Sequence, residues 1–262
     1  GGHPQYVTAL GGYALYGSAS TTTGINGSVA IGHQSLYSIT TGTNVAIGYQ
    51  TMQNLTTGTA NTAVGRKALN SADGAENNNV AIGSSAMQNV NNDSSEKNVA
   101  IGADAMSSIT TGEVDRCIAI GFGAMDGTGT VAGQQNIFIG NDAGGGSWTT
   151  AASNSNVAIG ATAMSAALNG ALGNTAIGHD GLKAVTTGDY NTTLGRGAGT
   201  AITTTSYTVA IGNYSLSAIT STGDYTISIG HGAMGGAQIG DGNIAIGYQS
   251  MANANASGFH RN

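Results

Sequence analysis

The sequence predicts an all-β fold, a parallel β-solenoid of about 14 short coils, on three observations. First, a glycine recurs at spacings of 16 to 21 residues, as Gly11, Gly32, Gly48, Gly65, Gly83, Gly102, Gly121, Gly140, Gly160, Gly178, Gly195, Gly212, Gly230 and Gly247. Second, each is preceded by a β-branched, a small and an aliphatic residue. Third, Leu or Met stands four positions after it in twelve of the fourteen copies. A period this short fits one coil of a stacked repeat.

Each coil opens on a strand. Three positions before the glycine stands Val or Ile in ten copies, with Thr8, Thr62, Thr175 and Thr192 in the others, and one position before it stands Ile, Val or Leu in all fourteen. Residues two apart share a face, and this aliphatic pair is expected to form the buried one. Between them sits Ala in eleven copies, replaced by Phe138, Thr193 and Ser228. That middle side chain is expected to point outward, where its small size lets another chain approach.

The glycine suits a turn of positive φ. Beyond it a small residue and then the Leu/Met column form a second segment, and all seven Met residues fall in that column, which marks it as core. Gly144 and Gly199 interrupt the column, so thinner packing is expected there. A further apolar contact follows at Ile39, Leu55, Ile109 and Val185. Asn precedes the strand in nine copies, where stacked amides would satisfy backbone groups.

Charged residues make up 8% of the chain, 13 acids against 7 bases give a net charge of −6, and no basic run offers itself to phosphates, so no nucleic-acid partner is expected. No run of 18 apolar residues exists to insert in a membrane. Cys117 is the single cysteine, which excludes an intrachain disulfide. The chain begins Gly-Gly-His without an initiator Met, as expected of a processed chain or a fragment. Coils this thin and rich in glycine bury little, and homo-oligomerisation with the Ala face toward the axis is the expected supplement.

The repeat running from Asn98 to Met106, and again from Asn44 to Met52, resembles the left-handed parallel β-roll of YadA-like trimeric autotransporter adhesin heads. The Asn61 to Gly65 stretch, with Thr-Thr-Gly turns elsewhere, is more similar still to repeats of bacteriophage and prophage tail fibres. The resemblance covers Val7 to Met251, leaving a lead-in over 1–6 and a tail over 252–262. It implies a side-by-side homotrimer in a virion tail fibre that mediates attachment to a host cell surface through a glycan or protein receptor. A bacterial adhesin head and a purely structural extracellular filament are the alternatives.

Unlike the uniform adhesin heads, this array carries longer loops, at 71–79, 91–98, 111–117, 126–136 and 145–156, and nine of its thirteen acids lie between Asp73 and Asp142. Insertions on one face of a solenoid mark a binding face, so Asp93, Glu96, Asp115, Arg116, Asp126 and the sole tryptophan, Trp148, are the candidate receptor contacts, the alternative for Trp148 being that it folds back to cover the gap beside Gly144. His33, His179 and His231 share the position after the glycine but lie in distant coils, and neither metal nor cofactor is expected. Asp104 and Asp142 stand at one repeat position two coils apart, a spacing that suits paired carboxylates, yet no aromatic subsites accompany them. A non-enzymatic protein is expected.

Overall fold

The computed structural model describes residues 6–17, 24–218, 224–236 and 240–252, so the lead-in and the tail lie outside the described residues except for Tyr6 and Ala252. Among the described residues every regular element is a strand, and the fold is an all-β solenoid of parallel strands. The chain divides into two compact units, 1–134 and 135–262.

In the first unit, β1 (Thr8–Leu10), β2 (Val29–Ile31), β3 (Val45–Ile47), β4 (Thr62–Val64), β5 (Val80–Ile82), β6 (Val99–Ile101) and β8 (Ile118–Ile120) pair in sequence order. The register repeats unchanged, as Val45↔Thr62, Ala46↔Ala63 and Ile47↔Val64. A second ladder joins β7 (Val114–Asp115) to β9 (Gly133–Gln134). In the second unit, β10 (Ile137–Ile139), β11 (Val157–Ile159), β12 (Thr175–Ile177), β13 (Thr192–Leu194), β14 (Val209–Ile211), β15 (Ile227–Ile229) and β16 (Ile244–Ile246) stack likewise. The sequence separates each strand from the next by one full coil, which is what a parallel ladder requires.

The anchoring glycines explain the tight stack. Their φ runs from +126° to +142°, and a Cβ on Gly65 would sit 2.3 Å from the carbonyl oxygen of Gly83 in the next coil. Both the backbone angle and the close approach exclude a side chain. The Leu/Met column turns through positive φ as well, with Leu36 at +48° and Met106 at +53°, a feature the sequence did not announce. Its N–H groups bond the coil above, as in Met52 N to Ala68 O at 3.0 Å.

The strand faces are the reverse of the sequence expectation. Ala30, Ala46, Ala63, Ala81, Ala100 and Ala119 are fully buried, whereas the flanking Val and Ile are only half-buried or exposed, as Ile82 is at 38%. The alternation holds, with the small residue inside and the aliphatic pair outside. Leu36, Met52, Leu69, Met87, Met106 and Met125 already fill the interior, and a coil this narrow accepts only a small residue opposite them. The Ala face therefore cannot meet an axis between chains; the aliphatic face points out instead.

The two interruptions are filled rather than thin. At Gly144 a Cβ would lie 2.7 Å from Cδ2 of Phe138, the one large residue in the Ala column, and Phe138 is fully buried. At Gly199 a Cβ would meet Thr193 Cγ2 at 2.9 Å and Leu182 Cδ2 at 3.0 Å. Volume lost from one column is returned by another.

The Asn column forms a ladder. Asn61 donates from both its N–H (3.0 Å) and Nδ2 (3.1 Å) to Asn44 Oδ1, and its Nδ2 also donates to Glu76 O at 2.8 Å. Asn79 and Asn98 repeat the arrangement toward Ser95 O and Val114 O. Each amide thus ties the start of its strand to the closing loop of the same coil or its neighbour, and both partners are buried groups that would otherwise be orphaned. Cys117 takes the Asn place in its coil: its N–H donates to Asn98 Oδ1 at 2.9 Å and its Sγ approaches Gly133 O at 3.1 Å.

Candidate functional site

The long loops of the first unit lie on consecutive coils, and the ladder fixes where they leave the strand. Within them Glu96, Asp115 and Arg116 come together: Arg116 N–H donates to Glu96 O at 3.0 Å, and its guanidinium pairs with Asp115 at 3.0 Å. Glu96 pairs with Lys97 at 2.6 Å and accepts from Asn77 Nδ2 at 3.1 Å. The hydrogen bonds of Lys97 and Asn77 hold the Glu96 carboxyl below the ordinary glutamate range. Asp115 is buried at 8% exposure; it buttresses Arg116, which alone of that pair reaches solvent. Asp126 Oδ1 accepts from Ser107 Oγ at 2.6 Å and Ser108 N–H at 2.9 Å, which ties it to the turn of the preceding coil.

Trp148 is not an exposed receptor contact. It is buried at 4% exposure and meets Phe138 edge to face, with ring centroids 6.2 Å apart at 88°. The triple glycine before it lets the loop fold back over the coil that lacks a Leu or Met side chain at Gly144.

Asp93 joins a grouping that the list of single residues did not foresee. One carboxylate oxygen each from Asp73, Glu76 and Asp93 lie within 4.8 Å of one another. Asp93 Oδ1 accepts the Ala75 N–H at 3.0 Å and rests on Gly74, where a Cβ would collide with it. Glu76 is fully buried; Gly74 N–H donates to its Oε2 at 3.1 Å, and its Oε1 has no hydrogen-bond partner. Burial pushes the Glu76 carboxyl above the ordinary range, with Asp93 and Asp73 adding to the rise, against the pull of the Glu76 and Gly74 N–H groups. The spacing Asp-x-x-Glu with an Asp one coil later was the available signal, and it is legible only once the stacking register is known.

The shared histidine position does not gather a site. His33 stacks on Tyr49 at 5.6 Å, His231 on Tyr248 at 5.5 Å, and His179 pairs with Asp180 at 2.7 Å. Asp104 and Asp142 belong to different units.

Exposed tyrosines form ladders that the low aromatic content concealed. Tyr190, Tyr207 and Tyr225 stack on successive coils at 5.5 and 5.1 Å. Tyr16 and Tyr37 stack at 5.3 Å. Within each stack the facing ring surfaces cover one another, while the end rings stay exposed, Tyr225 at 62% and Tyr190 at 52%. No protein-family model, no curated protein and no solved structure matches the chain, so its function is to be read from its residues alone.

Proposed function

We propose that the chain is a non-enzymatic fibre segment that assembles side by side with two further copies of itself and, as part of a phage or phage-like tail fibre, attaches a virion to a host cell surface. The assembly reading rests on one observation, the outward aliphatic face. In each unit seven successive strands turn Val, Ile, Leu or Thr pairs outward, with no charged residue in either column. Contiguous apolar surface beyond a few hundred Å² is rare on monomers and marks an interaction face. A face that repeats along every coil is matched best by an identical face, and closed rotational symmetry satisfies all copies at once. The uneven, polar loops of the first unit then supply the variable surface that a receptor contact needs.

Sedimentation equilibrium of the whole chain at low micromolar concentration tests the assembly, with a mass three times that of one chain expected. Ile82→Lys combined with Ile101→Lys, which puts charge into the face without touching the interior, is expected to give monomers with unchanged circular dichroism. A wild-type chain that sediments as a monomer refutes the proposal. Attachment is tested with labelled assemblies on bacterial cells and surface polysaccharides; intact trimers that bind none of them identify a spacer.

A further inference from the structure

Glu76 stands apart from the other buried acid. Asp115 pairs through Oδ2 with Arg116, although its Oδ1 likewise lacks a hydrogen-bond partner, whereas Glu76, fully enclosed, faces two more carboxylates and no base among the described residues. A buried carboxylate oxygen without a partner is costly unless something positive meets it. The loop is nevertheless held firmly in that arrangement. Asn61 Nδ2 fixes the Glu76 carbonyl at 2.8 Å, and Asn79 Nδ2 fixes the Ser95 carbonyl, two residues beyond Asp93, at 3.0 Å. Thr57 N–H and Thr57 Oγ1 both donate to Gly74 O, at 3.3 and 3.1 Å. The absence of a side chain at Gly74 is what admits Asp93.

The geometry points to a calcium site formed by Asp73, Glu76 and Asp93, across two adjacent coils of the first unit. Two oxygens that each lie about 2.3–2.6 Å from one ion are at most about 5 Å apart, and the three carboxylate oxygens fall inside that limit at 4.8 Å. The donor set is all oxygen, which excludes the thiolate and imidazole preference of zinc and copper. Ligands from two separate loops make an irregular shell, which calcium accepts and the strict octahedron of magnesium does not. Asp73 and Asp93 are exposed, which leaves room for water to complete the shell. The ion would meet the Glu76 carboxylate, whose Oε1 lacks a hydrogen-bond partner, and pin loop 71–79 to loop 91–98.

Calorimetric titration of calcium chloride into chelator-treated full-length chain tests the site. One saturable event per chain is expected, with a dissociation constant on the order of 10⁻⁴–10⁻³ M, as in extracellular calcium modules, and weaker binding of magnesium chloride. Glu76→Gln and Asp93→Asn are each expected to weaken calcium at least about tenfold. Calcium is expected to raise the melting temperature of the wild type and not of Glu76→Gln. In chelator, Glu76→Gln is expected to melt no lower than the wild type, since it removes an unpaired buried acid, and this establishes that the variant folds. No saturable heat up to millimolar calcium, or binding unchanged in both variants, overturns the site.

Discussion

Phe138→Ala is the sharpest test of how these coils are filled. Phe138 is fully buried, its ring occupies the space beside Gly144, and Trp148 packs on its edge. Truncating a buried Phe to Ala costs about 3–5 kcal/mol. Gly144→Met alone drives a side chain into that ring, with its first carbon 2.7 Å from Cδ2, an overpacking cost of about 1–3 kcal/mol. Together the two changes give this coil the pairing of Ala119 with Met125 and of Ala158 with Met164, on a backbone already suited to it, since φ is +63° at Gly144 and +53° at Met125. The double variant is therefore expected to lie within about 1.5 kcal/mol of wild type, the residue being the edge-to-face contact with Trp148. That implies a coupling of at least about 2.5 kcal/mol, at or above the upper end for contacting pairs. Urea unfolding followed by the fluorescence of Trp148, the only tryptophan, reads all four proteins at the site itself. A double variant whose loss equals the sum of the single losses refutes volume exchange between the columns.

Two further outcomes are expected. Asn98→Ala removes the acceptor of the Cys117 N–H and the donor to Val114 O and should cost about 2–4 kcal/mol in chemical denaturation, while Cys117→Asn, which extends the ladder, should stay within about 1 kcal/mol of wild type; a loss below about 0.5 kcal/mol for Asn98→Ala contradicts the ladder's role. Burial pushes the Asp180 carboxyl up, but hydrogen bonds from Lys183 and Thr162 outweigh it and hold the group below the ordinary aspartate range. A lowered carboxylate contributes stability that is present above about pH 3.9 and is lost as the pH falls through the folded value. Lys183→Ala should thus melt slightly below wild type at pH 7, by up to about 1 kcal/mol of stability, and the gap should close in acid; a gap of undiminished size at the lowest pH contradicts the assignment.

Much of the architecture was legible because a repeat compares itself: fourteen copies exposed the glycine, the Leu/Met column and the Asn ladder without any second sequence. The orientation of the strand was not, because periodicity says which side chains share a face and not which face is inside. The deciding quantity was volume, since Met106 and its neighbours leave room only for Ala100 and its neighbours. Trp148 left two readings open, since a loop rich in glycine suits exposure and the gap at Gly144 suits a ring folded back, and the buried ring of Phe138 on which it packs decides for the second. Asp73, Glu76 and Asp93 span 21 residues of sequence, so their convergence depends on the stacking of two coils and on the exact lengths of the loops between.

The unchanging register carries a consequence for how such a chain changes length. Because Asn61 bonds Asn44 with the same atoms with which Asn98 bonds Asn79, and because Ala aligns with Ala and Ile with Ile or Val in successive pairs such as β3 with β4 and β5 with β6, the top of one coil is chemically interchangeable with the top of the next. Excision or duplication of one whole period leaves mating surfaces that already fit, whereas loss of a single residue between the Asn and the Leu/Met column would throw every later contact in that coil out of step. Inheritance can therefore edit this protein in units of a coil, adding or subtracting reach through unequal recombination between its own repeats, while the loops outside that nine-residue core drift in size.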